Sequence, residues 1–247
     1  MKDILDSFGA ATFGELYADE YDERHNPGTT DAAVKLLCEL AENRRTLELA
    51  IGTGRVAIPM ANAGIDIQGI DGSAEMLTKL REKPGGETIK TEIADMADFQ
   101  LKDSFGFVFL IFNTFYNLTS QQAQVNCIQQ AAAHLEPGGQ LLLEMFVPQP
   151  SLWDSEIRLR EMDMNALVIE GANHDPVKQT VEFQRAVLKE GSVTMRPLAM
   201  RYAWPAEIDL MAQMAGLSLE SRWSGWDRSP FSGESKMHIS LYSKSST

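Results

Sequence analysis

Cysteine is nearly absent. The 247 residues hold only Cys38 and Cys127, too few and too far apart for a disulfide framework or a zinc knuckle. Each falls on the apolar stripe of an expected helix, where a thiol acts as a small buried hydrophobe. Basic residues are the next scarcity: 22 Lys and Arg stand against 35 Asp and Glu, a formal net charge of −13. Non-specific nucleic-acid affinity comes mainly from Lys and Arg neutralising phosphates, so no nucleic-acid partner is expected and no basic cluster advertises one. The charge serves solubility. No apolar run approaches the roughly 18 residues of a membrane span, so no membrane partner is expected. Met1-Lys2-Asp3-Ile4 is not followed by the apolar core of a secretion signal, which makes the cytoplasm the expected location. Repeats and low-complexity stretches are missing too, apart from a short Ser-rich tail.

What remains is an ordinary globular composition, long enough for a single α/β domain over 1–247. Residues 1–30 are irregular, with Phe13, Tyr17 and Tyr21 at helical spacing among Gly, Asp and Glu. This segment either packs on the domain or forms a lid over a ligand, and its run into the first strand favours the lid. A helix over 31–42 precedes a strand at Thr46–Ile51, and the next helix runs to about Asn62. Strands at Asp66–Ile70, Thr88–Ala94 and Phe105–Phe112 follow, with Ser73 as the N-cap of an intervening helix. The unbroken run Phe105–Phe112 predicts a central strand buried on both faces. It ends in Asn113-Thr114-Phe115-Tyr116, at the strand C-terminus where open α/β sheets place ligands. A helix over 120–134 leads through Pro137-Gly138-Gly139 into a strand at Gln140–Phe146. Up to that point the alternation implies a doubly wound parallel sheet. Residues 151–202 then read as an antiparallel insertion on the ligand face, with a hairpin turning at Gly191 and a further strand around 157–169. Residues 203–247 supply a helix opened by Pro205 and a final strand pair.

The chain is organised around Thr46–Val56, where an apolar run ends in Ala50-x-Gly52-x-Gly54 and a helix-forming segment starts at once. Strand, small-residue turn and helix present backbone N–H groups to a ligand. Seventeen residues past Gly54, Asp71 closes a second apolar run, where a carboxylate can accept ribose hydroxyls. A dinucleotide turn wants Gly-x-Gly-x-x-Gly, but counting from Ala50 its third small position is Arg55, which also argues against a pyrophosphate crossing the helix start. The pattern is instead acid-x-small-x-Gly-x-Gly, with Glu48 on the strand. This resembles motif I of class I S-adenosylmethionine-dependent methyltransferases. In register with it, Asp71 resembles the family's ribose-binding acid and Ala94-Asp95-Met96 its adenine-contacting segment. Leu135–Gly139 resembles the sequence ahead of its fifth strand, and the final strand pair its antiparallel sixth and seventh. The resemblance covers 46–146 well and 204–243 moderately. Tyr17–Asp22 resembles the N-terminal segment of small-molecule N-methyltransferases, including those acting on amino sugars, which closes over the cofactor's methionine end.

The resemblance implies a Rossmann-like, mostly parallel seven-stranded sheet carrying the insertion, an N-terminal helical lid, and residues 31–150 as the cofactor-binding core. It implies an enzyme that transfers a methyl group from S-adenosylmethionine to an N or O atom of a small molecule, as a monomer or homodimer, with no metal. The cofactor set it implies is Tyr17, Tyr21, Glu48, Ala50, Gly52, Thr53, Gly54, Arg55, Asp71, Gly72, Met76, Asp95, Met96, Phe112 and Asn113. Within it Glu48 helps hold the ammonium of the amino-acid moiety, directly or through water. Ala50 replaces the commoner first glycine, a tolerable change if that position keeps ordinary strand dihedrals. Gly72 stands where a bulkier residue is common, which shifts adenine packing to Ile70, Met76 and Met96. A sulfonium methyl is already activated, so proximity and orientation can carry the reaction, and a base is needed only where the acceptor must lose a proton early. The catalytic candidates are His25, beside the lid, and Tyr116, whose alternative is a capping aromatic. Of the other histidines, His134 reads as a helix cap, His238 as a packed strand residue and His174 as a turn residue. Trp226 and Phe231 either line the acceptor pocket or anchor the last loop. The competing readings are an NAD-dependent oxidoreductase, disfavoured by Arg55, and a non-catalytic S-adenosylmethionine-binding protein. An amino-methyltransferase acting on nucleic acid is disfavoured by the absence of Pro-Pro after Asn113.

Overall fold

The computed structural model describes residues 4–25, 27–153 and 157–246; parts of the expected lid (1–3 and 26), insertion (154–156) and C-terminal segment (247) lie outside these. Two short helices, α1 (Thr12–Tyr17) and α2 (Tyr21–Arg24), lead to α3 (Thr30–Ala41). The alternating part follows as β1 (Thr46–Leu49), α4 (Ala57–Asn62), β2 (Ile67–Asp71), α5 (Ala74–Glu82) and β3 (Lys90–Ile93). It continues as β4 (Phe105–Leu110), α6 (Gln121–His134) and β5 (Leu135–Phe146). Then come β6 (Arg158–Met162), β7 (Ala166–Asp175), β8 (Thr180–Lys189) and β9 (Ser192–Arg201). The described chain closes with α7 (Pro205–Met214), β10 (Leu217–Trp223) and β11 (Met237–Lys244).

Seven strands form one sheet in the order β10-β11-β5-β4-β1-β2-β3. Strands β1 to β5 run parallel, while β11 lies antiparallel between β5 and β10. This is the expected doubly wound architecture. Every residue of β4 is buried, which suits a run with no polar face to offer water. The sheet separates two cores, one filled from α6 and α7 and the other from α3, α4 and α5. Ser73 and Ser120 cap α5 and α6, their hydroxyls accepting from the N–H of Met76 and Ala123. Strand β5 starts earlier than its sequence suggests. Phe105 faces Leu135 but Phe107 faces Gln140, so Pro137-Gly138-Gly139 is absorbed as a bulge, with Gly138 at φ +77°.

The insertion is a separate antiparallel sheet in the order β6-β7-β8-β9. One further strand was expected near 157–169; the chain makes β6 and the start of β7 there. Strands β8 and β9 join through Glu190 at φ +52° and Gly191 at φ +77°, the paired positive dihedrals of a two-residue hairpin turn. His174 lies in β7 and not in the turn, which starts at Asp175, whose carboxylate accepts from the N–H of Val177 and Lys178.

The aromatics at 13, 17 and 21 do not share one helix, because the chain breaks at 18–20 between α1 and α2. Their rings still meet: Phe13 and Tyr17 lie 4.8 Å apart, and Tyr21 stacks on His25 at 5.1 Å. The segment is fastened at both ends of the cleft it crosses. Tyr17 donates its hydroxyl to the Pro197 carbonyl at 2.8 Å, and Arg196 bonds Leu16 O and Glu20. On the other side a Cβ at Gly14 would meet Ser73 at 2.2 Å, and one at Gly72 would meet the Ala10 carbonyl at 2.5 Å. Gly14 therefore makes room for the Ser73 side chain and Gly72 for the Ala10 backbone, approaches that any side chain would block.

Candidate active site

Strand β1 ends in a turn whose shape comes from three positive dihedrals: Ala50 at φ +52°, Gly52 at +58° and Gly54 at +78°. Ala50 thus does not keep strand dihedrals, contrary to expectation; it holds a left-handed conformation that Gly adopts without strain. The turn is pinned from β2. The carboxylate of Asp71 accepts from Gly52 N at 2.7 Å and from Ser73 N at 2.9 Å. Burial pushes the Asp71 carboxyl up, and these two N–H groups pull it back. Each oxygen keeps lone-pair capacity for a further donor.

Beside the turn lies a cavity of about 380 Å³, within the range of small-ligand sites. Ala50, Gly52, Asp71, Gly72 and Met76 wall it from the β1 and β2 ends, and Ala94, Asp95 and Met96 from beyond β3. Phe112 and Asn113 enter from the end of β4, both at positive φ, with Asn113 Oδ1 accepting from Phe146 N at 2.6 Å. The N-terminal segment supplies Phe8, Phe13, Tyr21 and His25. Arg185, Leu198 and Met200 close it from the second sheet.

Three expected residues stand one wall away. Glu48, Thr53 and Arg55 border a second cavity of about 20 Å³, shared with Tyr21 and Phe112 and large enough for a single water. Glu48 is buried with Oε2 unpartnered among the described residues, and Arg55 Nε likewise. Burial drives the Glu48 carboxyl well above its usual range, opposed by Arg55 and reinforced by Asp71. Arg55 donates to Thr30 at 2.8 Å and lies over the Phe112 ring at 4.8 Å. Thr53 donates to Asp22 at 2.7 Å. Gly54 lines neither cavity; a Cβ there would press on Ile58 and Leu80 at 3.0 Å.

Two expectations are corrected by placement. Tyr17 turns its hydroxyl to Pro197 and away from the cavity, fastening the N-terminal segment. Tyr116 is fully buried, with its hydroxyl 3.0 Å from Phe146 O and 2.9 Å from Ala203 O, and burial pushes its pKa far up. It cannot exchange a proton with a ligand, and it ties the two ends of the insertion together. His25, in contrast, is on the cavity wall. Burial lowers its pKa, with Arg185 and Arg24 adding to the effect and the Tyr21 carbonyl and Glu20 opposing it, so the ring is neutral near pH 7.

The remaining histidines are structural. His134 Nε2 accepts from Leu101 N at 3.0 Å, which fixes Nδ1–H as the donor to Gln130 O at 2.8 Å. His238 is buried against Ser240 Oγ at 2.8 Å. His174 bonds the Tyr202 hydroxyl at 3.1 Å. Trp226 belongs to the core and Phe231 packs on Arg222 and His238, so both anchor the last loop. Sequence reasoning missed Phe8, Arg185, Leu198, Met200 and also Glu144, whose carboxylate accepts from Phe112 N. Arg185 left one usable signal, a charge at the inward parity of a strand that reads Val181, Phe183, Arg185.

Among the described residues no helix is long and apolar enough to cross a membrane, and no His, Cys, Asp and Glu group is arranged to hold a metal.

Comparison with known proteins agrees with the geometry. A family model described as a methyltransferase domain matches residues 46–139. The CcbJ methyltransferase from Streptomyces caelestis is 35% identical and superposes with a TM-score of 0.89 over 96% of this chain and 100% of that one. Cypemycin N-terminal methyltransferase from a Streptomyces species is 25% identical over 200 residues, 79% of this chain and 81% of the relative. At 16% identity and TM-score 0.69, the SAM-bound amino pentose methyltransferase CalS10 from Micromonospora echinaspora shares the fold, over 93% of this chain and 97% of that one. The chain belongs to the S-adenosylmethionine-dependent methyltransferases.

Proposed function

We propose that this enzyme methylates an amine nitrogen of a small molecule, with His25 taking up the proton that the nitrogen releases. The observation that carries the reading is the His25 imidazole on the wall of a largely apolar cavity, beside the turn that suits the cofactor, where burial lowers its pKa. The chain's residues fit S-adenosylmethionine: the turn leaves open space over Gly52, Asp71 keeps acceptor capacity, and Glu48 holds an unpartnered buried oxygen in the small cavity behind the turn. When bound, the cofactor supplies a sulfonium methyl; the new C–N bond forms as the C–S bond breaks, and the electron pair stays on sulfur. Asp71 would hold the ribose hydroxyls, and Asp95 and Met96 the adenine. Phe13, Tyr21 and Phe112 exclude water and hold the acceptor in line, an effect worth about 7–11 kcal/mol in well-aligned systems. The relative acting on the N-terminus of cypemycin supports an amine over a hydroxyl acceptor.

A screen of amine, phenol and carboxylate acceptors, read out as S-adenosylhomocysteine, tests this. Turnover confined to amines is expected, and turnover of phenols or carboxylates alone overturns it. His25→Ala should lower kcat about a hundredfold while S-adenosylmethionine affinity stays unchanged; an unchanged kcat would leave positioning as the whole mechanism. Because the His25 pKa is lowered, wild-type kcat should hold its plateau to below pH 6.5.

A further inference from the structure

The strands of the second sheet assemble what the linear sequence does not show, a basic row. Arg185 on β8 lies opposite Glu170 on β7 and opposite Arg196 on β9. From β6, Arg160 reaches the same Glu170 at 2.8 Å. One carboxylate, 3% exposed, therefore serves two guanidiniums, while Arg185 and Arg196 stand as a like-charge cross-strand pair. Arg196 has both terminal nitrogens engaged, by Leu16 O and Glu20. Arg185 does not. Among the described residues only Glu170 accepts from it, through Nε, which leaves the terminal nitrogens of its fork for another partner. Its side chain is 48% exposed and lines the main cavity next to Leu198. Along β8 the inward parity runs Val181, Phe183, Arg185, so a cation follows two buried core residues at the point where the strand reaches the cavity. In a chain of net charge −13, no surplus of basic residues accounts for a cation at that position.

We propose that Arg185 recognises an anionic substituent, a carboxylate or a phosphate, on the methyl acceptor. A planar guanidinium matches both groups in a two-point geometry. The acidic lining residues, Asp71 and Asp95, stand at the cofactor end, so an anion is favoured only at the second-sheet wall. That polarity fixes one orientation for a substrate bearing both groups, anion on Arg185 and amine toward His25. The assignment rests on the amine-acceptor reading of the same cavity.

Calorimetric titration of the enzyme saturated with S-adenosylhomocysteine tests it with matched pairs: amino acids against their methyl esters, and glucosamine 6-phosphate against glucosamine. The anionic member of at least one pair should bind about tenfold or more tighter than its neutral partner, and which pair responds separates carboxylate from phosphate. Arg185→Gln should abolish the preference and Arg185→Lys restore part of it, with S-adenosylmethionine affinity unchanged as proof of an intact fold. Equal binding within every pair, no binding of either member, or a preference that survives Arg185→Gln overturns the proposal. Arg185-dependent binding of anionic amines that are never methylated upholds the anion assignment and removes the amine-acceptor reading.

Discussion

Ala50 shows how a single dihedral changes the meaning of a motif. Its φ of +52° places a Cβ in the left-handed region, at a position where glycine is strain-free. Ala50→Gly should therefore raise the unfolding free energy by roughly 0.5–1 kcal/mol in urea denaturation; a lower midpoint would show that the turn is unstrained. His238 gives a pH signature. Burial, with Arg222 adding and Asp209 opposing, lowers its pKa from 6.5 to about 4. The unfolded chain then binds the proton first, so stability is intact above pH 6.5 and falls as pH drops toward 4. At pH 5 the loss from this one group should be about 2 kcal/mol, and His238→Asn should remove that part of the pH slope in unfolding titrations at pH 7 and pH 5. Asp71, Asp95 and the glycine turn were legible because they follow or close three adjacent strands, β1, β2 and β3, at one edge of the sheet. The sequence could not show that Tyr116 faces inward, since strand-end aromatics read alike whether they meet a ligand or two carbonyls.

The N-terminal helices, the central sheet and the second sheet each wall part of the cavity, and the first of these is held by contact and not by a core of its own. Gly14 is the tightest point of that contact, with Ser73 2.2 Å from where a Cβ would stand. Gly14→Val should push α1 off the N-terminus of α5. S-adenosylmethionine affinity is then expected to fall about tenfold by calorimetry, and cleavage by trypsin after Arg24 to accelerate, while the sheet stays folded. Unchanged affinity would mean that the segment covers the acceptor alone. Periodicity found α3, α5, α6 and α7 because their apolar stripes face the sheet. The helical spacing of the aromatics at 13, 17 and 21 does not reveal the break at 18–20, because the rings gather whether or not the backbone is continuous.

At the scale of the whole molecule, the parallel half was legible because β1, β2 and β4 bury both faces. The second sheet was harder. Its strands have one wet face, so β6 carries exposed Leu159 and Met162 beside charges, and the alternation is blurred. The basic row was invisible for a related reason: its arginines come from three strands and become neighbours only through register. The buried Arg201 then locks this sheet to the core, donating to Gln179 and Glu207 at 3.2 and 2.7 Å and also to Gln124. The hydroxyl of Tyr116 has a consequence for the molecule's history. It touches the carbonyls of Phe146 and Ala203, so the points where the chain leaves for the second sheet and comes back are at most about 6 Å apart. A segment with nearly coincident ends can lengthen, shorten or be exchanged at little loop-closure cost. Changes between 147 and 202 can thereby reshape the wall that carries Arg185, Leu198 and Met200 while the seven-stranded sheet keeps its strand order.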